Sequence, residues 1–167
     1  MKEIFTRRSV RSYTDQKISN EDMKLILQAA MAAPSAINQQ PWEFIVVDDK
    51  ALLEELGNCS PHSKFLPTAA ACIIVLLNKN KVKCDLFQQD LSAVTENIML
   101  EARYLGIGSC WIGTYTRLDR MAYVTKMFNL PEYIEPFSII SLGYPKDENA
   151  FVEKDRFNEE LIHINKW

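Results

Sequence analysis

Hydrophobic residues recur along the chain with two periods, and these periods predict the elements. Met23, Ile26, Leu27 and Ala30 fall three and four residues apart, the spacing of one helix face. Ser19, with Asp22 three residues on, makes a capping-box pattern at its start. Pro34 closes the segment, because proline disfavours helical backbone in the residue before it. An earlier helix is expected over Lys2–Arg11. Trp42–Val47 reads as a strand, Ala51–Leu56 as a short helix ended by Gly57, and 58–68, with Pro61 and Pro67, as loop. Ala71–Leu77 is a continuous run of apolar residues, which marks a strand buried on both faces. The longest helical pattern covers Leu86–Leu105 and closes at Gly106. Its stripe of Leu91, Val94, Ile98, Ala102 and Leu105 is widened by Met99 and Leu100, so burial on several sides is expected, a subunit interface being one way to reach it.

Cys110–Gly113 is a short strand candidate. Thr116 with Asp119 opens another capped helix, to about Phe128, and Phe137–Leu142 is a last strand closed by Gly143 and Pro145. The tail from Phe151 to Trp167 sets Phe157, Leu161, Ile162, Ile164 and Trp167 among charges, and is expected to dock on its own subunit or on a partner. Helices and strands interleave, and no strand is followed by a glycine-rich phosphate loop. The fold class is read as α+β.

Composition narrows the function. The 167 residues suit one domain, 1–167, with 47% apolar and 25% charged residues in ordinary globular proportion. A net charge of −3 weighs against a nucleic-acid binder, though not against a local basic pocket. Cys59, Cys72, Cys84 and Cys110 form no CxxC pair and no cluster with zinc-ligand spacing. The longest apolar run is about eight residues, against the roughly twenty a membrane helix needs. The first residues carry no signal-peptide pattern. A cytoplasmic protein with no membrane partner is expected.

Four segments carry candidate chemistry. Arg7-Arg8-Ser9-Val10-Arg11 puts three guanidinium forks and a hydroxyl within five residues, suited to a phosphate or another anion; a solvated basic helix end is the plain alternative. The loop from Ala33 to Phe44 brackets Ser35, Asn38 and Gln40 between two prolines, and these side chains can read a heterocycle edge or a sugar hydroxyl. Gly106–Gly113 contains three glycines, which permit close approach of backbone to a ligand. Lys154-Asp155-Arg156 alone would be surface charge.

Taken together, "RRSVRSY", "APSAINQQPWEF", "ENIMLEARYLGIGSCWIG" and "KDR" resemble the nitroreductase family of FMN-dependent oxidoreductases, over nearly the whole chain from Arg7 to Arg156. The resemblance implies a central, mainly antiparallel sheet flanked by helices, in an intertwined homodimer with two FMN sites at the subunit interface. By the same resemblance, Arg7 and Ser9 hold the FMN phosphate with Arg8 beside them contributing through its backbone. Lys154 and Arg156 complete that phosphate site, and Arg11 lies near the pyrimidine edge of the flavin. Pro34, Ser35, Asn38 and Gln40 form a loop lent by the second subunit. Ile112 and Gly113 present backbone to the ring system, and Lys64 is a further polar contact to the pyrimidine.

No catalytic acid or base is expected, because the flavin carries the chemistry. The implied activity is reduction of nitroaromatics, quinones or related small acceptors by NADH or NADPH. No G-x-G-x-x-G follows a strand, so the two substrates would use one pocket in turn, by a ping-pong mechanism. A non-catalytic flavin carrier or redox sensor, a flavin-destroying or dehalogenating branch of the same superfamily, and a plain interaction module are the alternatives. The segments Val47–Ala71 and Gly113–Phe137, which often shape the substrate channel in this family, are compact.

Overall fold

A computed structural model describes residues 2–167; of the expected span 1–167, only Met1 lies outside. Its centre is a four-stranded antiparallel sheet in the order β1-β2-β4-β3, where β1 is Trp42–Val47, β2 Ala71–Asn78, β3 Gly108–Gly113 and β4 Ile134–Gly143. The helices are α1 (Lys2–Thr6), α2 (Asn20–Met31), α3 (Lys50–Leu56), α4 (Phe87–Tyr104) and α5 (Leu118–Met127).

β2 explains the layering. Residues 71–77 are all buried, and their side chains alternate between two cores. Ile73, Val75 and Leu77 pack with Leu91, Val94 and Ile98 of α4 and Ile26 of α2. Ile74 and Leu76 pack on the other face with Leu53 and Leu56 of α3 and Val124 of α5. A strand covered on both faces has no polar side to show, hence the continuous apolar run.

The breadth of α4 is met largely within the chain. Met99 joins the α2-side core, Asn97 donates to the Ala29 carbonyl at 2.9 Å, and Thr95 bonds Ser138 of β4 at 3.0 Å. α4 ends in a Schellman motif: Gly106 donates to the Arg103 carbonyl, and Ile107 to that of Ala102 at 2.8 Å.

Three expectations change. The helix expected over Lys2–Arg11 stops at Thr6, because the arginine segment leaves it to bridge onto β3. Thr116 does not cap α5; Arg117 is the N-cap residue, without a side-chain cap, and Thr116 adopts a positive φ of 34°. The last strand begins at Ile134 rather than Phe137. Pro136 is tolerated there because it sits at the irregular register between Val75 and Leu76 and beyond the last β3 pair.

Candidate functional site

The arginine segment is fixed before any ligand is considered. Ser9 bridges Ser109 in parallel, and Val10 donates to the Ser109 carbonyl at 2.9 Å. Three residues on, Tyr13 is 1% exposed and its hydroxyl lies 2.6 Å from the Val10 carbonyl and 2.7 Å from Ser141 Oγ. Burial pushes the Tyr13 phenol far above its ordinary pKa, so it stays a neutral donor. The segment lies flat on the sheet because two glycines leave room. A Cβ at Gly108 would meet Val10 at 2.9 Å, and one at Gly143 would meet the Tyr13 ring at 2.8 Å.

Three adjoining clefts share residues of this segment. The first, about 520 Å³, is lined by Arg11, His62, Lys64, Phe65, Arg120 and strand β3 from Cys110 to Gly113, with Pro61. The second, about 420 Å³, takes in Arg8, Ser9, Arg11 and Lys154. The third, about 520 Å³, is lined by Arg7, Arg8, Lys154 and Arg156 among others. Arg11 joins the first to the second, and Arg8 and Lys154 join the second to the third. The result is one trough, each part of a volume usual for small-molecule sites.

Cations line every part of this trough. The first cleft has Arg11, Lys64 and Arg120 on its walls and no carboxylate. At the far end four cations face Glu153 and Asp155. Arg8 donates through Nη1 to the Arg7 carbonyl at 2.8 Å, while its buried Nη2 finds no partner among the described residues. A buried guanidinium donor without an acceptor suits an incoming anion such as a phosphate. Arg7 pairs with Glu96 at 3.2 Å, a partly exposed bridge that exchanges partners at little cost.

β3 is an edge strand, so part of its backbone hydrogen-bonding capacity faces the first cleft rather than a neighbour. Arg120 donates to the Gly113 carbonyl there. Lys64 lines the cleft while donating to Asn58 at 2.8 Å. Burial pushes the Cys110 thiol up, with Arg11 and Ser9 opposing it, so it is a protonated packing group rather than a nucleophile.

Arg7, Arg8, Ser9, Arg11, Lys64, Ile112, Gly113, Lys154 and Arg156 thus lie along one trough. Pro34, Ser35, Asn38 and Gln40 line none of its three parts. Their loop packs instead at the start of α4, where Ala36 donates to Asp90 at 2.9 Å. The motifs do not include Arg120 or His62, which arrive from α5 and the 58–68 loop and lack any local pattern. Gln39 lies within the loop motif but was assigned no role there, and Asp90 lies outside the motifs; a lone acid on the apolar face of α4 is the one sequence sign of that residue.

The nitroreductase family matches residues 4–69 and 57–144. An Archaeoglobus fulgidus protein provisionally named NADH dehydrogenase/NAD(P)H nitroreductase is 50% identical, over 100% of this chain and 98% of its own length. A solved Clostridium acetobutylicum structure, provisionally named NADH oxidase, superposes with a TM-score of 0.94 at 44% identity, covering 99% of both chains. An FMN-dependent nitroreductase from Clostridium difficile gives 0.91 at 32% identity, covering 99% of this chain and 98% of that one. With the family matched over most of its length and the same fold in its relatives, the chain belongs to the nitroreductase family.

Proposed function

We propose that the chain, acting as one FMN-binding domain, is an oxidoreductase that draws electrons from NADH or NADPH and delivers them to small acceptors such as nitroaromatics or quinones. The observation that carries this is the continuous trough. It runs from an end where a buried Arg8 donor has no partner among the described residues to the cleft-side edge of β3, flanked by cations. Arg7, Arg8, Ser9, Lys154 and Arg156 would hold the phosphate, and Arg11, Lys64, Ile112 and Gly113 the ring system. When bound, FMN supplies the electron transfer itself.

The chain's own residues bind and tune. Charge-assisted hydrogen bonds are worth about 1.5–3 kcal/mol each, so several guanidinium contacts retain a phosphate without a covalent link. Arg11 and Lys64 favour whichever form of the bound group carries more negative charge. One cleft opens above β3, which fits donor and acceptor entering in turn. Parallel lines in double-reciprocal initial-rate plots are the expected result, and intersecting lines would refute that order.

A homodimer belongs to the same proposal. Residues 152–167 are exposed throughout, including Phe157, Leu161, Ile164 and a 98% exposed Trp167. So apolar a tail suits a second copy of the chain, which would also bring its Pro34, Ser35, Asn38 and Gln40 to the trough. Light scattering should return twice the chain mass. Four unpaired cysteines suit a reducing, cytoplasmic location, and among the described residues no helix is long and apolar enough to cross a membrane.

Absorbance of the purified protein after incubation with FMN is the decisive test, followed by anaerobic NADH or NADPH. A retained flavin spectrum that bleaches supports the proposal. A retained spectrum that neither donor bleaches makes the chain a carrier, and no flavin uptake removes the reading altogether.

A further inference from the structure

The loop from Pro34 to Gln40 is tied to the fold by a buried pair that lies outside the trough. Asp90, in the first turn of α4, is 4% exposed, and Gln39 is 5% exposed. Asp90 Oδ1 accepts the Ala36 N–H at 2.9 Å, and Oδ2 accepts Gln39 Nε2 at 2.7 Å. Gln39 Oε1 in turn accepts the backbone N–H groups of Lys83 and Cys84 at 2.8 and 3.1 Å. The loop so tied is not relaxed: Ile37, Asn38 and Gln40 have φ of 46°, 55° and 44°. Non-glycine residues take that conformation at a cost, so surrounding contacts must enforce it. Ser35 helps locally by accepting the Gln40 N–H at 3.1 Å, but the link to the rest of the fold is the Asp90–Gln39 pair.

We propose that Asp90 and Gln39 are positioning residues that hold Ser35, Asn38 and Gln40 in the conformation that contacts the cofactor, which rests on the assignment of this loop to FMN. The donor pattern makes the carboxylate specific. The two backbone N–H groups fix Gln39 Oε1 as acceptor, so Nε2 must donate towards Asp90. Ala36 also donates to Asp90, so the residue there must accept twice, once at each end. An asparagine accepts at one end only; either orientation of its amide sets a donor against a donor. Exchanging the groups repairs this. In the Gln39→Glu/Asp90→Asn double variant, the new carboxylate accepts from Lys83, Cys84 and the new amide, and the amide oxygen accepts from Ala36. Only the long 3.4 Å contact from Gln39 Nε2 to the Cys84 carbonyl is not recovered.

The test measures FMN affinity by fluorescence quenching in the full chain, with apoprotein melting and hydrogen exchange alongside. Asp90→Asn should weaken FMN binding about tenfold to a hundredfold, since loss of the latch lowers the fraction of chains with a competent loop. Amides 36–40 should exchange faster while those of β2 stay slow, and the double variant should recover most of the affinity. If Asp90→Asn does not fold, Asp90→Glu keeps both acceptors but lengthens the arm; its FMN affinity should fall with melting preserved. Asn38→Ala separates the two levels. FMN affinity unchanged in Asn38→Ala overturns the loop assignment and the latch with it. Affinity lowered in Asn38→Ala but unchanged in Asp90→Asn, or in Asp90→Glu should Asp90→Asn not fold, overturns the latch alone.

Discussion

Arg7–Tyr13 and residues 152–167 both bring cations to the trough, yet they are anchored in opposite ways. The first is bridged to Ser109, seated over Gly108 and Gly143, and pinned by the Tyr13 hydroxyl. The second has its last firm contact at Phe151, whose ring lies 4.0 Å beneath the Arg103 guanidinium, and is exposed beyond it. One wall of the trough is therefore built by the chain's own core. The other, with Lys154 and Arg156, is carried on an exposed segment that lacks such anchors. Variants in the first wall should cost stability, and those in the second should cost affinity.

The largest effect should come from Tyr13→Ala. Emptying a buried aromatic site of this kind costs about 3–5 kcal/mol, read as a loss of urea midpoint with unchanged slope. If Tyr13→Ala melts like wild type, the first wall is no better anchored than the second. Gly143→Ala should follow, at about 1–3 kcal/mol, because its Cβ would press the Tyr13 ring at 2.8 Å. FMN affinity should drop with it as the arginine segment shifts.

Arg156→Ala should behave in the opposite sense. We expect FMN affinity to fall about tenfold through loss of a charge-assisted contact, with stability unchanged within about 0.5 kcal/mol. Arg117→Ala, at the exposed start of α5, should change neither quantity. A large stability loss in Arg156→Ala would show that the tail is anchored after all.

The smallest effect provides a baseline at the opposite sheet edge. Glu43 is held below the ordinary carboxylate range chiefly by Lys81, 2.6 Å away, and then by Asn78. Its lowered folded-state pKa means the contribution is full above the unfolded value of 4.5 and is lost as pH falls through the folded one. The pair is exposed, so Glu43→Gln should cost no more than about 0.5 kcal/mol at pH 7, and nothing once both states are protonated. A constant difference down to acid pH would mean that the lost contact is not ionic.

Much of the fold was legible in the sequence because its signals are local. Ser19 does cap α2, its hydroxyl accepting the Asp22 N–H at 3.0 Å. The apolar run of β2, the stripe of α4 and the stop at Gly106 lie where periodicity puts them. The errors fall where a distant segment overrules a local pattern: Ser109 draws the arginine segment out of α1, and the bulge on β2 admits Pro136 into β4.

For the site the division is similar. Residue types and order by themselves determined the family, the arginine-rich segment and the candidate loop, since guanidinium clusters, amides between prolines and glycine pairs are written in adjacent positions. Tertiary structure alone decided that Arg7 and Arg156, at opposite ends of the chain, share one cleft. It alone decided that Arg120 reaches Gly113, and that Asp90 accepts from a residue more than fifty positions away. Those relations depend on how the sheet order and two helix layers bring remote backbone together, and no period or motif along the chain encodes a distance between them.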